Sequence, residues 1–404
     1  MKKFLSERAK NTGRSAIREV LKFTKDSEVI SFAGGLPKPS TFPREGLAES
    51  AARQIRNNYQ NSLQYGTTEG VVEFREEMID WLSGFGMELE LENVISTNSS
   101  QQAIDLACKA FLDPGDVLYC GLPTYLGAVQ SFSTFQSEQI GVPLEEDGMN
   151  LEVLEKKIVE TEKTGKTGKF IYVIPDFQNP AGVTMSQKKR ERIVEIAMDH
   201  DLLIIEDTPY FGVRFSGEFK QPINTYDDSG RVITLASLSK ILSSGMRLAV
   251  TAGPEELIKE LVTMKQATDL CTSTMTQWIA ADWLKENDLS EHLEELQGYY
   301  HENRNAMLEA MEADFPESED LSWTEPNGGL FIWVTLPESI DSQDLFEKAL
   351  AANVAFVPGH NFYVNGGGRN TMRLSYSLLD PERIKEGITR LGQVLEKEFN
   401  RIPG

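Results

Sequence analysis

Between residues 91 and 237 the sequence alternates short apolar runs with amphipathic ones, and no other feature limits the fold as tightly. "NVIST" reads as a strand, "SQQAIDLACKAFL" as a helix capped by Ser100, "DPGDVLYC" as a turn and strand, and "TYLGAVQSF" as a helix. "QIGVPL", "KFIYVIP", "LLIIED" and "RVITLAS" read as further strands, with the helical patterns "LEVLEKKIVE" and "SQKKRERIVEIAMD" between them. The central runs are apolar at successive positions, so both faces of those strands must be covered. Strands of that kind, separated by helices, make an α/β fold with a mostly parallel central sheet.

The flanking segments differ. "SAIREVLKF" looks like an amphipathic N-terminal arm, and "SFAGGLPKPSTFP" is irregular, Gly- and Pro-rich chain. Helices are expected over 44–58 and 71–82, joined by the loop "SLQYGTTEG". Beyond residue 285 comes a long charged amphipathic helix whose start, "HLEELQGYYH", reads as solvated. "GGLFIWVTL", a helix over 342–352, "VAFVPG", "TMRLSYS" and a last helix, "PERIKEGITRLGQVLEKEF", follow it. The division expected is an arm and the start of a small domain at 1–45, a large α/β domain at 46–285, and a small α+β domain at 286–404.

The charge balance excludes some classes of partner. Sixty-two acidic against 40 basic residues give a net charge of −22, a field that repels nucleic acid and anionic membrane surfaces. Cys108, Cys120 and Cys271 form neither a disulfide framework nor a metal-binding pair. "MKKFLSERAKNTG" has a basic start without the apolar core of a signal peptide, and no apolar run is long enough to span a bilayer. A cytoplasmic enzyme is expected.

Several polar residues follow expected strand ends, where parallel α/β sheets bind ligands. Lys240 comes after "VITLA", between small hydroxyl residues and seven positions before Arg247. An amine is a nucleophile only when unprotonated, which burial or a neighbouring cation promotes; the alternative is a surface lysine at a helix start. Asp207 in "IIEDTPY" is either a partner for a protonated ring nitrogen or a helix cap or ion pair. Ser100 and Gln101 suit an anion at a helix N-terminus, or ordinary capping. Asn179, in the turn "NPAGV", is weak by itself. Arg373 in "TMRLSYS" is either a fork for a carboxylate or an outward side chain on a half-exposed strand, and periodicity favours the latter. His200, His292, His301 and His360 have no metal-ligand spacing, and there is no GxSxG elbow.

Taken together and in order, "SFAGGLPKPSTFP", "LQYGTTEG", "SSQQAIDL", "DFQNPAGV", "IIEDTPY", "SLSK" with "GMRLA", "VAFVPG" and "MRLSYS" resemble the fold-type I pyridoxal-phosphate aminotransferases. The resemblance is greatest to the branch with 2-aminoadipate and kynurenine aminotransferases and the aminotransferase-like domain of MocR regulators, and it covers nearly the whole chain. It implies a fold-type I transferase that uses pyridoxal 5'-phosphate to move an amino group from an L-amino acid to a 2-oxo acid such as 2-oxoglutarate. Candidate donors are 2-aminoadipate, aromatic and branched-chain amino acids and glutamate. It assigns the aldimine-forming and proton-moving amine to Lys240, and the partner of the pyridinium nitrogen to Asp207. Asn179 and Tyr210 would hold the phenolic oxygen, and Tyr125 would stack on the ring. Ser100, Gln101, Ser237, Ser239 and Arg247 would hold the phosphate, with Tyr65 reaching that of a neighbouring subunit in a homodimer. Arg373 would clamp the substrate carboxylate, Gly34 and Gly35 would line the entrance, and Arg18 is a candidate for an acidic substrate side chain.

The sequence departs from that family in places. Ser244 stands where relatives commonly have proline, and Gly121 and Leu122 stand where an acidic residue often occurs. The winged-helix domain of a MocR regulator is not expected. Lyase or decarboxylase chemistry on the same scaffold, and a non-catalytic cofactor-binding sensor, are the alternative functions.

Overall fold

The computed structural model describes residues 2–13 and 28–401. Its first strand is β1 (Ile30–Ser31). A run of eight then follows: β2 (Val94–Thr97), β3 (Val117–Leu122), β4 (Glu138–Glu145), β5 (Gly148–Met149), β6 (Gly168–Val173), β7 (Leu203–Asp207), β8 (Val232–Ser237) and β9 (Ala249–Ala252). These eight form one sheet in the order β2-β9-β8-β7-β6-β3-β4-β5. The pairs β4/β3, β3/β6, β6/β7 and β7/β8 are parallel. β9 runs antiparallel to both its neighbours, and β5 is antiparallel to β4. The mostly parallel α/β sheet expected from the sequence is therefore present.

The two-faced burial read from the apolar runs is also present. Along β6, Phe170 and Tyr172 enter one core cluster while Ile171 and Val173 enter another. Ile205 and Ile204 of β7, and Ile233 and Val232 of β8, divide in the same way. Successive side chains point to opposite faces of a strand, so each run supplies both cores. β9 and the helices Glu255–Gln266 and Thr274–Glu286 were not expected. Four small or β-branched residues, "AVTA", carry too little alternation to stand out as a strand.

The expected helices over 44–58 and 71–82 are found at Arg44–Asn57 and Val72–Ser83. The next helix is Ser99–Phe111, with Asn98 at its N-cap, so Ser100 lies inside the first turn and is not the cap. "EKTGKTGK" ends one helix and leads into β6. The long helix is Leu289–Asp314. Its start is not wholly solvated as expected, because Leu293, Leu296 and Tyr300 are buried on one face.

The remaining strands are β10 (Ser322–Trp323), β11 (Phe331–Thr335), β12 (Val354–Ala355), β13 (Val357–Pro358) and β14 (Thr371–Ser375). β10, β11, β14 and β13 make an antiparallel four-stranded sheet in that order. β1 pairs in parallel with β12, which brings the segment after residue 31 against the C-terminal sheet. The helix Pro381–Phe399 buries Ile384, Ile388, Leu391 and Leu395, an i, i+4, i+7 stripe. No helix among the described residues is long and apolar enough to cross a membrane.

Candidate active site

β2, β6, β7 and β8 all point their carboxyl ends toward the same edge of the sheet, and the candidate residues lie in the segments that leave them. Ser99, Ser100 and Gln101 follow β2, Tyr125 follows β3, and Asn179 follows β6. Asp207 ends β7 with Tyr210 three residues on, and Ser237 ends β8 ahead of Ser239 and Lys240. β14 of the smaller sheet contributes Arg373.

Lys240 keeps some accessible surface, as a residue beside a cavity does, but protein atoms crowd its amine. Its Nζ donates to the Gly35 carbonyl at 2.7 Å. That burial, and then the positive charges of Arg373 and Arg247, lower its pKa from 10.5 to about 8. The alternative of a surface lysine is excluded. A buried amine with a depressed pKa is a nucleophile near neutral pH.

Asp207 is 2 % exposed, and its pKa is pushed up to about 6 by burial, against the opposing effect of the Tyr172 hydroxyl. Tyr172 donates to Asp207 Oδ2 at 2.7 Å. Asp207 Oδ1 has no hydrogen-bond partner, and neither do the hydroxyls of Ser100 and Ser239. Buried polar atoms without partners are costly. One carboxylate oxygen and two serine hydroxyls left open beside a buried amine fit a ligand with a protonated ring nitrogen, a phosphate and an aldehyde.

Arg373 is 1 % exposed, so the outward reading of this strand is wrong. β14 has strands on both sides and every residue in it is buried. The Arg373 guanidinium donates to Asn179 Oδ1 at 2.9 Å and to the Ala33 carbonyl at 2.8 Å. It lies 4.0 Å from the Phe331 ring centroid and 5.0 Å from that of Phe362. Burial lowers its pKa from 12.5 to about 10, but it remains a cation at neutral pH. Its Nε has no partner. Tyr210 is also buried, which raises its pKa against the pull of Arg373.

Tyr125 donates to Gln101 Oε1 at 3.1 Å, and burial followed by the charge of Asp207 raises its pKa. Gln101 Nε2 is bound to the Gly127 carbonyl and the Ser131 hydroxyl, each at 2.9 Å. Ser237 Oγ accepts from the Ser239 N–H at 3.1 Å. Arg247 is exposed as a residue, yet its Nη2 donates to Ser99 Oγ. Tyr65 is the outlier, 79 % exposed and with no part in this cluster. Thr274 anchors its loop by donating to the Gln64 carbonyl at 2.7 Å. Gly34 is buried, and a Cβ at Gly35 would come 2.4 Å from Phe331 Cζ, so Gly35 is constrained by that ring as well as by any ligand. Arg18 lies outside the described residues.

The sequence reading missed Tyr172, Phe331, Phe362 and Ser99. Tyr172 was recoverable: it pairs in register with Ile205, so it shares a face with Asp207 two residues further along. Nothing local marks Phe331 or Phe362 as neighbours of an arginine. Among the described residues no group of His, Cys, Asp and Glu could hold a metal ion.

The chain matches the family described as aminotransferase class I and II over residues 29–391. It is 42 % identical to the aromatic-amino-acid aminotransferase 1 of Thermococcus litoralis over 99 % of this chain and 95 % of that one. It is 40 % identical to the 2-aminoadipate transaminase of Thermus thermophilus, over 96 % of each. The crystal structure of a multiple substrate aminotransferase from Thermococcus profundus superposes with a TM-score of 0.95 at 41 % identity, covering 99 % of both chains. The chain belongs to the aminotransferase class I and II family, as a fold-type I enzyme that works through pyridoxal 5'-phosphate.

Proposed function

We propose that this aminotransferase takes amino acids with large or acidic side chains, with 2-oxoglutarate as an acceptor, in a homodimer whose sites are shared. The relatives named for aromatic amino acids, for 2-aminoadipate and for multiple substrates support that range. The observation that carries the site assignment is the Lys240 amine, buried and lowered to about 8, beside the cations of Arg373 and Arg247.

When bound, the cofactor supplies an aldehyde that accepts an amino group and a ring that holds the electron pair left by the departing α proton. The chain's part is to bind, orient and move that proton. Asp207, with its free Oδ1, would hold the ring nitrogen protonated, and Tyr172 on its other oxygen keeps the carboxylate in place. Ser100, Ser237, Ser239 and Arg247 would receive the phosphate, and Gln101 would place Tyr125 over the ring. Asn179 and Tyr210 would hold the phenolic oxygen. Arg373, fixed by Asn179, the Ala33 carbonyl and two aromatic faces, would fork the α-carboxylate. Lys240, once displaced, would take the α proton and return it.

The exposed Tyr65 ring, with Leu63, Tyr59 and Ile55 exposed in the same stretch, supports a subunit interface there. Three unpaired cysteines and the net charge of −22 suit the cytoplasm. A panel of amino acids tests the reading. Each true donor converts bound cofactor stoichiometrically to its pyridoxamine form and releases one 2-oxo acid. A lyase or decarboxylase releases product without that conversion, and a sensor binds without any exchange.

A further inference from the structure

An N-cap side chain ordinarily accepts a hydrogen bond from the second or third N–H of its helix. Asn98, the N-cap of Ser99–Phe111, makes no such bond. Its Nδ2 donates instead to Asp269 Oδ2 at 2.7 Å. Gln102, one turn into the helix, donates to the same oxygen at 2.6 Å, and its Oε1 takes the Asn98 N–H at 2.8 Å. Asp269 is held by Lys265, which is 0 % exposed and binds both carboxylate oxygens at 2.8 and 3.0 Å and Gln102 Oε1 at 3.2 Å. The first helical residue, Ser99, has φ of 66°, a left-handed conformation that a serine keeps only where its surroundings hold it. Ser100 follows, nine-tenths buried, with a hydroxyl that has no partner.

We propose that Asp269 and Lys265 are positioning residues that keep this helix N-terminus open for the cofactor phosphate, by drawing the Asn98 side chain away from its own helix. The proposal rests on the assignment of the phosphate to the Ser100 turn. A helix N-terminus binds an anion through its free backbone N–H groups, and a self-capping side chain competes for those donors. Asp269 removes the competitor at the cost of a half-buried ion pair, in which Lys265 and two amides occupy both carboxylate oxygens. Both residues lie beyond the turn itself, at the end of the helix Glu255–Gln266 and the segment after it.

The test measures binding of pyridoxal 5'-phosphate and of pyridoxal, which lacks the phosphate, to full-length protein stripped of cofactor. Asp269→Ala with Lys265→Met leaves no unpaired buried charge and frees Asn98. It lowers affinity for pyridoxal 5'-phosphate about fivefold, the effect of one capping bond of ordinary strength, and leaves pyridoxal binding unchanged. Adding Asn98→Ala removes the competitor and restores the affinity. An unchanged affinity, an equal loss for both ligands, or no recovery with Asn98→Ala overturns the proposal. Ser100→Ala separates the two levels. If it leaves the preference for the phosphorylated ligand intact, the phosphate assignment falls and the inference with it. If it reduces that preference while the double variant does not, the inference alone falls.

Discussion

Arg373 and Asn179 are 194 residues apart in sequence and joined by a 2.9 Å hydrogen bond from Nη1 to Oδ1. The bond ties the smaller sheet to the loop that leaves β6. The residue expected to bind substrate and one expected to bind cofactor therefore share an orientation. Arg373→Lys loses the planar fork and its stack on Phe331 while keeping the charge. The expected result is a KM for the amino acid raised roughly 10- to 100-fold, as a lost charge-assisted hydrogen bond gives. Cofactor affinity, read by titration, stays within a few-fold.

Asp207 carries a cost of burial that the proposed pairing with a ring nitrogen would offset. Its pKa rises from 3.8 to about 6 on folding. Between those values the folded chain holds a proton that the unfolded chain has lost, so this group's contribution to stability declines as pH rises through that window. Above about pH 6 the full cost is present. Asp207→Asn in cofactor-free protein should raise Tm at pH 7, with the gain shrinking toward pH 4. The same variant should lose at least ~100-fold in activity, since a neutral amide does not hold the ring nitrogen protonated. Thermal melts over pH and steady-state rates check both halves.

Lys240 gives the opposite pH dependence. Its pKa falls from 10.5 to about 8, so between those values the unfolded chain holds the extra proton and stability improves as pH rises. Below about pH 8 the group is fully unfavourable. Lys240→Met in cofactor-free protein should melt above the native chain at pH 7, and the difference should narrow toward pH 10. The rate at which cofactor-free native protein takes up pyridoxal 5'-phosphate should rise with pH and level off above about 8.

Tyr65 is 79 % exposed and apart from the cluster in its own chain. If it serves a second subunit, Tyr65→Ala and Lys240→Ala each inactivate their own homodimers. A one-to-one mixture of the two then recovers about a quarter of native activity, because half the dimers are mixed and each of those carries one intact site of two. Activity after co-refolding, with mass measured by light scattering, decides this. No recovery in a confirmed mixed dimer would mean that Tyr65 acts within its own chain, and a fully active Tyr65→Ala homodimer would mean that it serves neither site.

Much of this was legible in the sequence, and the reason is physical. The strands β6, β7 and β8 bury both faces, so their apolar runs are unbroken, and each polar residue that follows one marks a strand end at the ligand edge. Asp207, Ser237, Ser239 and Lys240 stand out as candidates for that reason. Arg373 does not, because a strand pattern does not report whether a neighbour covers its second face. That is decided by the Phe331 and Phe362 rings, from distant segments, which lie against its guanidinium. Ser100 was placed at the cap because a serine before an amphipathic run has that pattern. The true N-cap, Asn98, gives its side chain to Asp269, 171 residues away, and no local rule shows such a diversion.

The central claim is that the amine at position 240 binds the cofactor. Protein incubated with pyridoxal 5'-phosphate, reduced with borohydride and digested should carry one phosphopyridoxyl group per chain, on the peptide containing Lys240. Labelling spread over other lysines, or an unmodified Lys240 in protein that still transaminates, would contradict the account.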